Sequence, residues 1–353
     1  MLDETTASSA LGHPTLSQIR RAAERLAGKI LMTPVWRWQT GVIEESFDGR
    51  TEVWLKLELF QRTGSFKLRG ALNCAEALDA TARGHGVVAV SAGNHAIAVA
   101  YTAKLLGISA KVVMPQHASP ARIAVCKELG ADVILVPDVH QAFTRGKQIE
   151  IEESRTMIHP FEGPLTAEGT ATVGLEIMEQ ISGLDAVVVP IGGGGLCAGI
   201  ASAVKQIDSR CAVYGVEPFG ADALYRSFQS GVPEKLERVD TIADSLGAPY
   251  ALPYSFGVCR RFVDEIVRVS DEELCHAMYY LFRDAKLVAE PAAAAATAAI
   301  LGPLRDKVAG KRICLIVCGS NIDSARYSEL LERGRSRAAA APPAVPGADR
   351  ARP

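Results

Sequence analysis

Along this chain, runs of consecutive apolar, mostly β-branched residues alternate with stretches whose apolar positions recur at helical spacing. The continuous runs predict strands at Gly86–Ser91, Ala110–Met114, Asp132–Val136, Ala186–Pro190, Ala212–Glu217, Glu265–Val269 and Arg312–Val317. Helices are predicted at Leu16–Ala27, Phe66–Ala77, Asn94–Leu106, Pro120–Leu129, Gly174–Ile181, Gly194–Gln206, Asp271–Asp284 and Pro291–Ile300. Strands that are apolar on both faces and alternate with helices predict an α/β class, with parallel sheets covered by helices and joined by right-handed crossovers. Leu106-Gly107 and Leu129-Gly130 each place a glycine between a helix and the next strand, as a left-handed helix stop requires. The strand ending at Pro190 opens a second α/β block, so a ligand is expected at strand C-termini between the two blocks.

Composition narrows the picture. The first fifteen or so residues are rich in Ser, Thr, Ala and Gly and are expected to be loose; the Ala- and Pro-rich run from Ala338 onward reads as a disordered tail. The folded body is then about residues 15–333 of 353, with 48% apolar and 22% charged residues. A formal net charge of −2 gives no bulk attraction to nucleic acid or to an anionic membrane. No apolar run approaches the ~20 residues that span a bilayer; Leu287–Leu301 carries Glu290 and Pro291 and reads as a buried helix. No secretory signal is visible at the N-terminus. The eight cysteines form no C-x-x-C pair, and several sit in apolar segments, so a reducing, cytoplasmic location is expected.

Four segments carry candidate chemistry. In Ser65-Phe66-Lys67-Leu68-Arg69-Gly70-Ala71, a lysine among apolar residues at a helix start would be desolvated and near the positive helix end, and both effects favour a neutral, nucleophilic amine. Ser91-Ala92-Gly93-Asn94-His95 follows a strand, and its small residues and helix-start amides suit a carboxylate. Gly192-Gly193-Gly194-Gly195-Leu196 lies between a strand and a helix and forms an anion-binding concavity. It has neither the G-x-G-x-x-G spacing of a dinucleotide site nor the Gly-Lys-Ser/Thr of a Walker A loop. Cys318, after the last strand, offers a weak thiol donor that could meet a neutral ring nitrogen; taken alone it reads rather as a buried structural cysteine.

Together, and in this order, the four segments resemble the serine/threonine dehydratase branch of the fold-type II pyridoxal-phosphate (PLP) enzymes over about residues 15–330. The resemblance implies a tryptophan synthase β-like fold of two α/β domains. A large domain of residues 1–75 and 162–330 and a small one of residues 76–161 would hold the cofactor in the cleft between them, with 331–353 as the tail. It implies Lys67 as the lysine that carries PLP and Phe66 as the side chain behind the ring. Asn94 would meet the ring hydroxyl, Gly192, Gly193, Gly194, Gly195 and Leu196 the phosphate, and Cys318 the pyridine nitrogen, with Glu290 near the site. Ser91, Ala92, Gly93, Asn94 and His95 would receive the substrate carboxylate.

The implied activity is a lyase of amino acid catabolism that removes water from L-threonine or L-serine, giving a 2-keto acid and ammonia. A homo-oligomer is expected, with the small amino acid as the sole partner. Related racemases carry a second serine where this chain has Ala92, which disfavours racemisation. Glu217–Ala223 resembles the family's divalent-cation loop, with Ala223 at the expected second carboxylate and Asp222 beside it, and no metal is assigned. Two further departures, Gly169-Thr170-Ala171-Thr172 and Ser245, are expected near the substrate pocket and leave a specialised relative, such as the dehydratase of hydroxyectoine utilisation, as an alternative. The absence of a regulatory domain after residue 330 points to a catabolic or specialised enzyme. A non-catalytic phosphate-ligand binder using residues 192–195 alone is the rival from another class, and it has no need of Lys67.

Overall fold

A computed structural model describes residues 12–340. Its strands, in chain order, are β1 (Val35–Trp38), β2 (Glu52–Lys56), β3 (Val87–Val90), β4 (Ala110–Pro115), β5 (Asp132–Val136), β6 (Thr156–Met157), β7 (Ala186–Pro190), β8 (Ala212–Pro218), β9 (Glu265–Val269) and β10 (Arg312–Ile316). They form two sheets, one ordered β1-β2-β10-β7-β8-β9 and the other β5-β4-β3-β6. Every pairing is parallel except the edge pair β1–β2, which is antiparallel. The expectation of wholly parallel sheets is corrected at that one edge.

In the smaller sheet, successive residues of β3 point to opposite faces, as the pleat requires. Val87 and Ala89 pack with the helix Asn94–Leu106, whereas Val88 and Val90 pack with Ala142 and Ile149 of the helix Val139–Glu152. That second helix comes within backbone range because position 146 is glycine: a Cβ there would lie 2.4 Å from Val90.

The larger sheet is covered by the helix Pro291–Leu301, which is buried from Pro291 to Ile300. Seven of its eleven residues are alanine, so it approaches the sheet closely and supplies area without bulk. The helices Pro164–Gln180 and Gly195–Ile207 pack against each other. A Cβ at Gly199 would lie 2.2 Å from Thr170 Oγ1, and one at Gly174 would lie 2.8 Å from the Ile200 carbonyl.

At the C-terminal side, a helix runs from Ser324 to Ala340, with Leu330 fully buried. This corrects the tail boundary at residue 331: a Cβ at Gly334 would lie 2.1 Å from the Cys275 carbonyl, so the helix is held against Asp271–Arg283. The Pro-rich remainder of the tail lies outside the described residues. No described helix is long and apolar enough to cross a membrane.

Candidate active site

Lys67 is the first residue of the helix Lys67–Glu76, and the helix has no side-chain cap. What fixes this first turn is Arg69, which is fully buried. Its guanidinium donates to both Glu58 oxygens at 2.8 Å and to both Glu176 oxygens at 2.6 and 2.9 Å, and Thr172 Oγ1 accepts at 3.0 Å. Lys56, also fully buried, donates to Glu176 at 2.5 Å. Two cations and two carboxylates thus neutralise one another beneath the site, as buried charges must. Thr172, expected near the substrate, belongs to this foundation instead.

Lys67 lines a cleft together with Phe66, Asn94, Gly192–Leu196, Ser245, Glu290 and Cys318. Burial holds its pKa down to about 8, against weaker opposing pulls from Cys318 and Glu290. Nζ donates to the Pro160 carbonyl at 2.6 Å. Burial also pushes the Cys318 thiol well above its ordinary range, so it stays protonated.

Glu290 is pushed up to about 7, chiefly by burial and then by Asp244. Its Oε1 accepts from Asn94 Nδ2 at 2.8 Å, while Oε2 has no partner among the described residues. Asn94 Oδ1 in turn accepts from Asn321 Nδ2 at 2.8 Å.

Of the Ser91–His95 segment, only Asn94 lines this cleft. Ser91 Oγ accepts from the Gly93 amide at 3.1 Å, tightening the turn. Above the turn, Arg122 donates to Asp244 at 2.7 Å, to the Asn321 carbonyl at 2.8 Å and toward the Ala92 carbonyl at 3.5 Å. His95 departs from its expected place. One helical position beyond Asn94, it turns inward, bonds the Ile158 carbonyl at 2.8 Å, and lines a smaller cavity behind Lys67 with His159, Thr166 and Thr170. Burial, with Lys67 nearby, lowers His95 to about 3 and His159 to about 4, so both rings are neutral.

The glycine loop begins where β7 ends. Gly194 has φ +93°, a left-handed conformation that glycine adopts without strain, and it precedes the first turn of the helix Gly195–Ile207. The amides of such a first turn have no intrahelical acceptor and point toward an anion. Sequence reasoning missed the segment that covers this loop. The chain returns from the small sheet through His159-Pro160-Phe161-Glu162, and the Phe161 ring lies 2.2 Å from where a Gly193 Cβ would stand. Glu162 fixes the return by accepting from the amides of Tyr254 and Ser255 at 2.7 and 3.0 Å. The one available signal was His-Pro directly after a short strand.

These residues fit a phosphorylated pyridine aldehyde. A glycine loop ahead of a helix start suits the phosphate, and a desolvated amine suits the aldehyde. A neutral thiol suits an unprotonated ring nitrogen, and an unpartnered buried carboxyl oxygen awaits a polar group. The family model of pyridoxal-phosphate dependent enzymes matches residues 27–319. The phenylserine dehydratase of Ralstonia pickettii is 50% identical over 321 residues, covering 91% of this chain and 97% of that protein. The L-threonine ammonia-lyase of Thermotoga maritima is 36% identical, covering 91% and 79%. Among solved structures, maize serine racemase superposes with a TM-score of 0.84 at 32% identity, covering 93% of this chain and 100% of that one.

Proposed function

Since the chain belongs to the family of pyridoxal-phosphate dependent enzymes, uses pyridoxal 5′-phosphate as its cofactor and is a lyase of the dehydratase and ammonia-lyase kind, we propose that it removes water from a 3-hydroxy-2-amino acid to give a 2-keto acid and ammonia. The observation that carries this reading is Lys67. Its amine is buried, shifted toward the neutral form, and faces the glycine loop and Cys318 across one cleft. Bound there, the cofactor supplies an electron sink for the substrate α-carbon.

The chain's own residues do the rest. The amides of Gly192, Gly193, Gly194, Gly195 and Leu196 would hold the phosphate, and Phe66 would pack behind the ring. Cys318 would offer the ring nitrogen a weak hydrogen bond and no charge. Asn94, held by Glu290 and Asn321, would orient the ring hydroxyl. Lys67 Nζ would carry the cofactor and then take the α-proton as general base. Ser91, Ala92, Gly93 and Asn94 would receive the substrate carboxylate, with Arg122 bracing their turn. In this reading Ala92 would stand toward the opposite face, where its side chain could neither give nor take a proton, so elimination would be favoured over racemisation. In this reading residues 1–75 and 162–330 form the large domain, residues 76–161 the small one, and the cofactor lies between.

For the substituent on the hydroxyl-bearing carbon, an aryl group is favoured over the methyl of threonine. The relative at 50% identity is named for phenylserine. The cleft wall also carries Phe161, with the His159 ring edge-on at 4.6 Å and the Tyr250 ring at 6.3 Å. The test is a panel of L-serine, L-threonine and L-threo-phenylserine assayed for keto acid and ammonia. No turnover of any member would refute the dehydratase reading; turnover of serine or threonine alone would refute only the aryl preference.

A further inference from the structure

Behind the glycine loop, β8 leads through Glu217–Ala223 into the helix Ala223–Ser230. This helix forms part of the loop's support: Leu224 Cδ2 lies 3.5 Å from the position of a Gly194 Cβ. The segment resembles a loop that the family closes with a divalent cation, and the donors present here do not suit one. Both Glu217 oxygens are committed to backbone amides, Oε1 to Leu224 at 3.0 Å and Oε2 to Tyr225 at 2.6 Å. Ala223 has no donor at the second carboxylate position and is buried. Asp222 is almost fully buried, and its two oxygens accept from Arg226 Nε at 2.7 Å and Arg268 Nη1 at 2.8 Å.

Arg268 comes from β9, where it is the register partner of Glu217 on β8. Its guanidinium carbon lies 4.0 Å from the Tyr225 ring centroid and 4.9 Å from that of Phe219. A planar, weakly hydrated cation held between two rings and a buried carboxylate is a setting that favours arginine over lysine.

We infer that Arg268 is a positioning residue that closes this loop with a cation supplied by the chain itself, so that the cofactor's phosphate cup is braced without a metal. The clamp ties β9 to the loop that leaves β8 and to the start of the helix Ala223–Ser230. It cannot be removed by a chelator. The inference rests on the cofactor assignment and not on the substrate.

The test uses holoenzyme treated with EDTA and then supplied with magnesium, calcium or manganese, read by thermal melting and by PLP affinity. Both are expected to stay unchanged. Arg268→Met should raise the PLP Kd about tenfold, the loss of one charge-assisted hydrogen bond, while kcat at saturating PLP is largely kept. Arg268→Lys should recover part of the affinity. Ala223→Asp combined with Arg268→Met should create a protein whose melting temperature rises with a divalent cation and falls with chelator. A wild-type protein destabilised by EDTA and restored by a divalent ion would overturn the inference, as would Arg268→Met with unchanged PLP affinity. If Arg268→Met does not accumulate, the wild-type chelator titration decides alone.

Discussion

Lys67 Nζ donates to the Pro160 carbonyl at 2.6 Å, so this amine is tethered to the segment that returns from the small sheet to the large one. The amine's position is therefore set by both halves of the molecule. Lys67→Ala would remove both the proposed cofactor attachment and the proposed base. It should cost at least the ~10²–10⁴-fold of general base catalysis while the far-UV circular dichroism is retained. Keto-acid release near the wild-type rate would refute the assignment.

Gly193→Ala places a Cβ 2.2–2.3 Å from three ring carbons of Phe161. The ring must move, at about 1–3 kcal/mol of overpacking, and PLP affinity should fall with it. Adding Phe161→Ala relieves the clash. Recovery of affinity in the double variant would locate the effect in packing; continued loss would locate it in the amides. An unchanged Kd in Gly193→Ala itself would show that the phosphate binds elsewhere.

The lowered pKa of Lys67 has a stability consequence in the apoprotein. The folded value, about 8, lies below the ~10.4 of a free lysine, so folding favours the neutral amine. Above ~10.4 both states are neutral and nothing is lost; as pH falls from ~10.4 toward ~8 only the unfolded chain takes up the proton, and the penalty accrues to ~3 kcal/mol, staying constant below the folded value. Apo Lys67→Met should therefore melt higher than apo wild type at pH 7, and the gain should shrink at pH 10. A gain independent of pH would contradict the desolvation argument.

If Ala92 stands on the opposite face as proposed, chiral analysis of residual substrate should show little D-isomer while keto acid accumulates. Ala92→Ser supplies a hydroxyl on that face and should raise D-isomer formation. Racemisation as fast as elimination in the wild type would exclude the one-sided proton geometry.

The strands at Asp132–Val136, Ala186–Pro190 and Glu265–Val269 were legible to the residue, because each is a short run in which Val and Ile make up three of five positions. Val35–Trp38 and Glu52–Lys56 were not. They carry Arg37, Glu52 and Lys56, whose charges are matched only in three dimensions, Glu52 by Arg37 and Arg312 and Lys56 by Glu176. The helix Pro164–Gln180 was read only from Gly174, since Gly169, Thr170 and Thr172 are poor helix formers. Close packing against Gly199 and Ile200 overrides that preference. In the site, the short contiguous motifs were readable and the parts brought from afar were not. Phe161, Arg122 and Arg268 have no local pattern that announces them.

The quartet Lys56, Glu58, Arg69 and Glu176 also constrains descent. Any lineage that replaces one member first must pass through a protein with an unmatched buried charge, at about 3–5 kcal/mol, a large share of the ~5–15 kcal/mol that keeps a typical domain folded. These four positions should consequently drift together or stay fixed, even though none of them touches the reacting atoms.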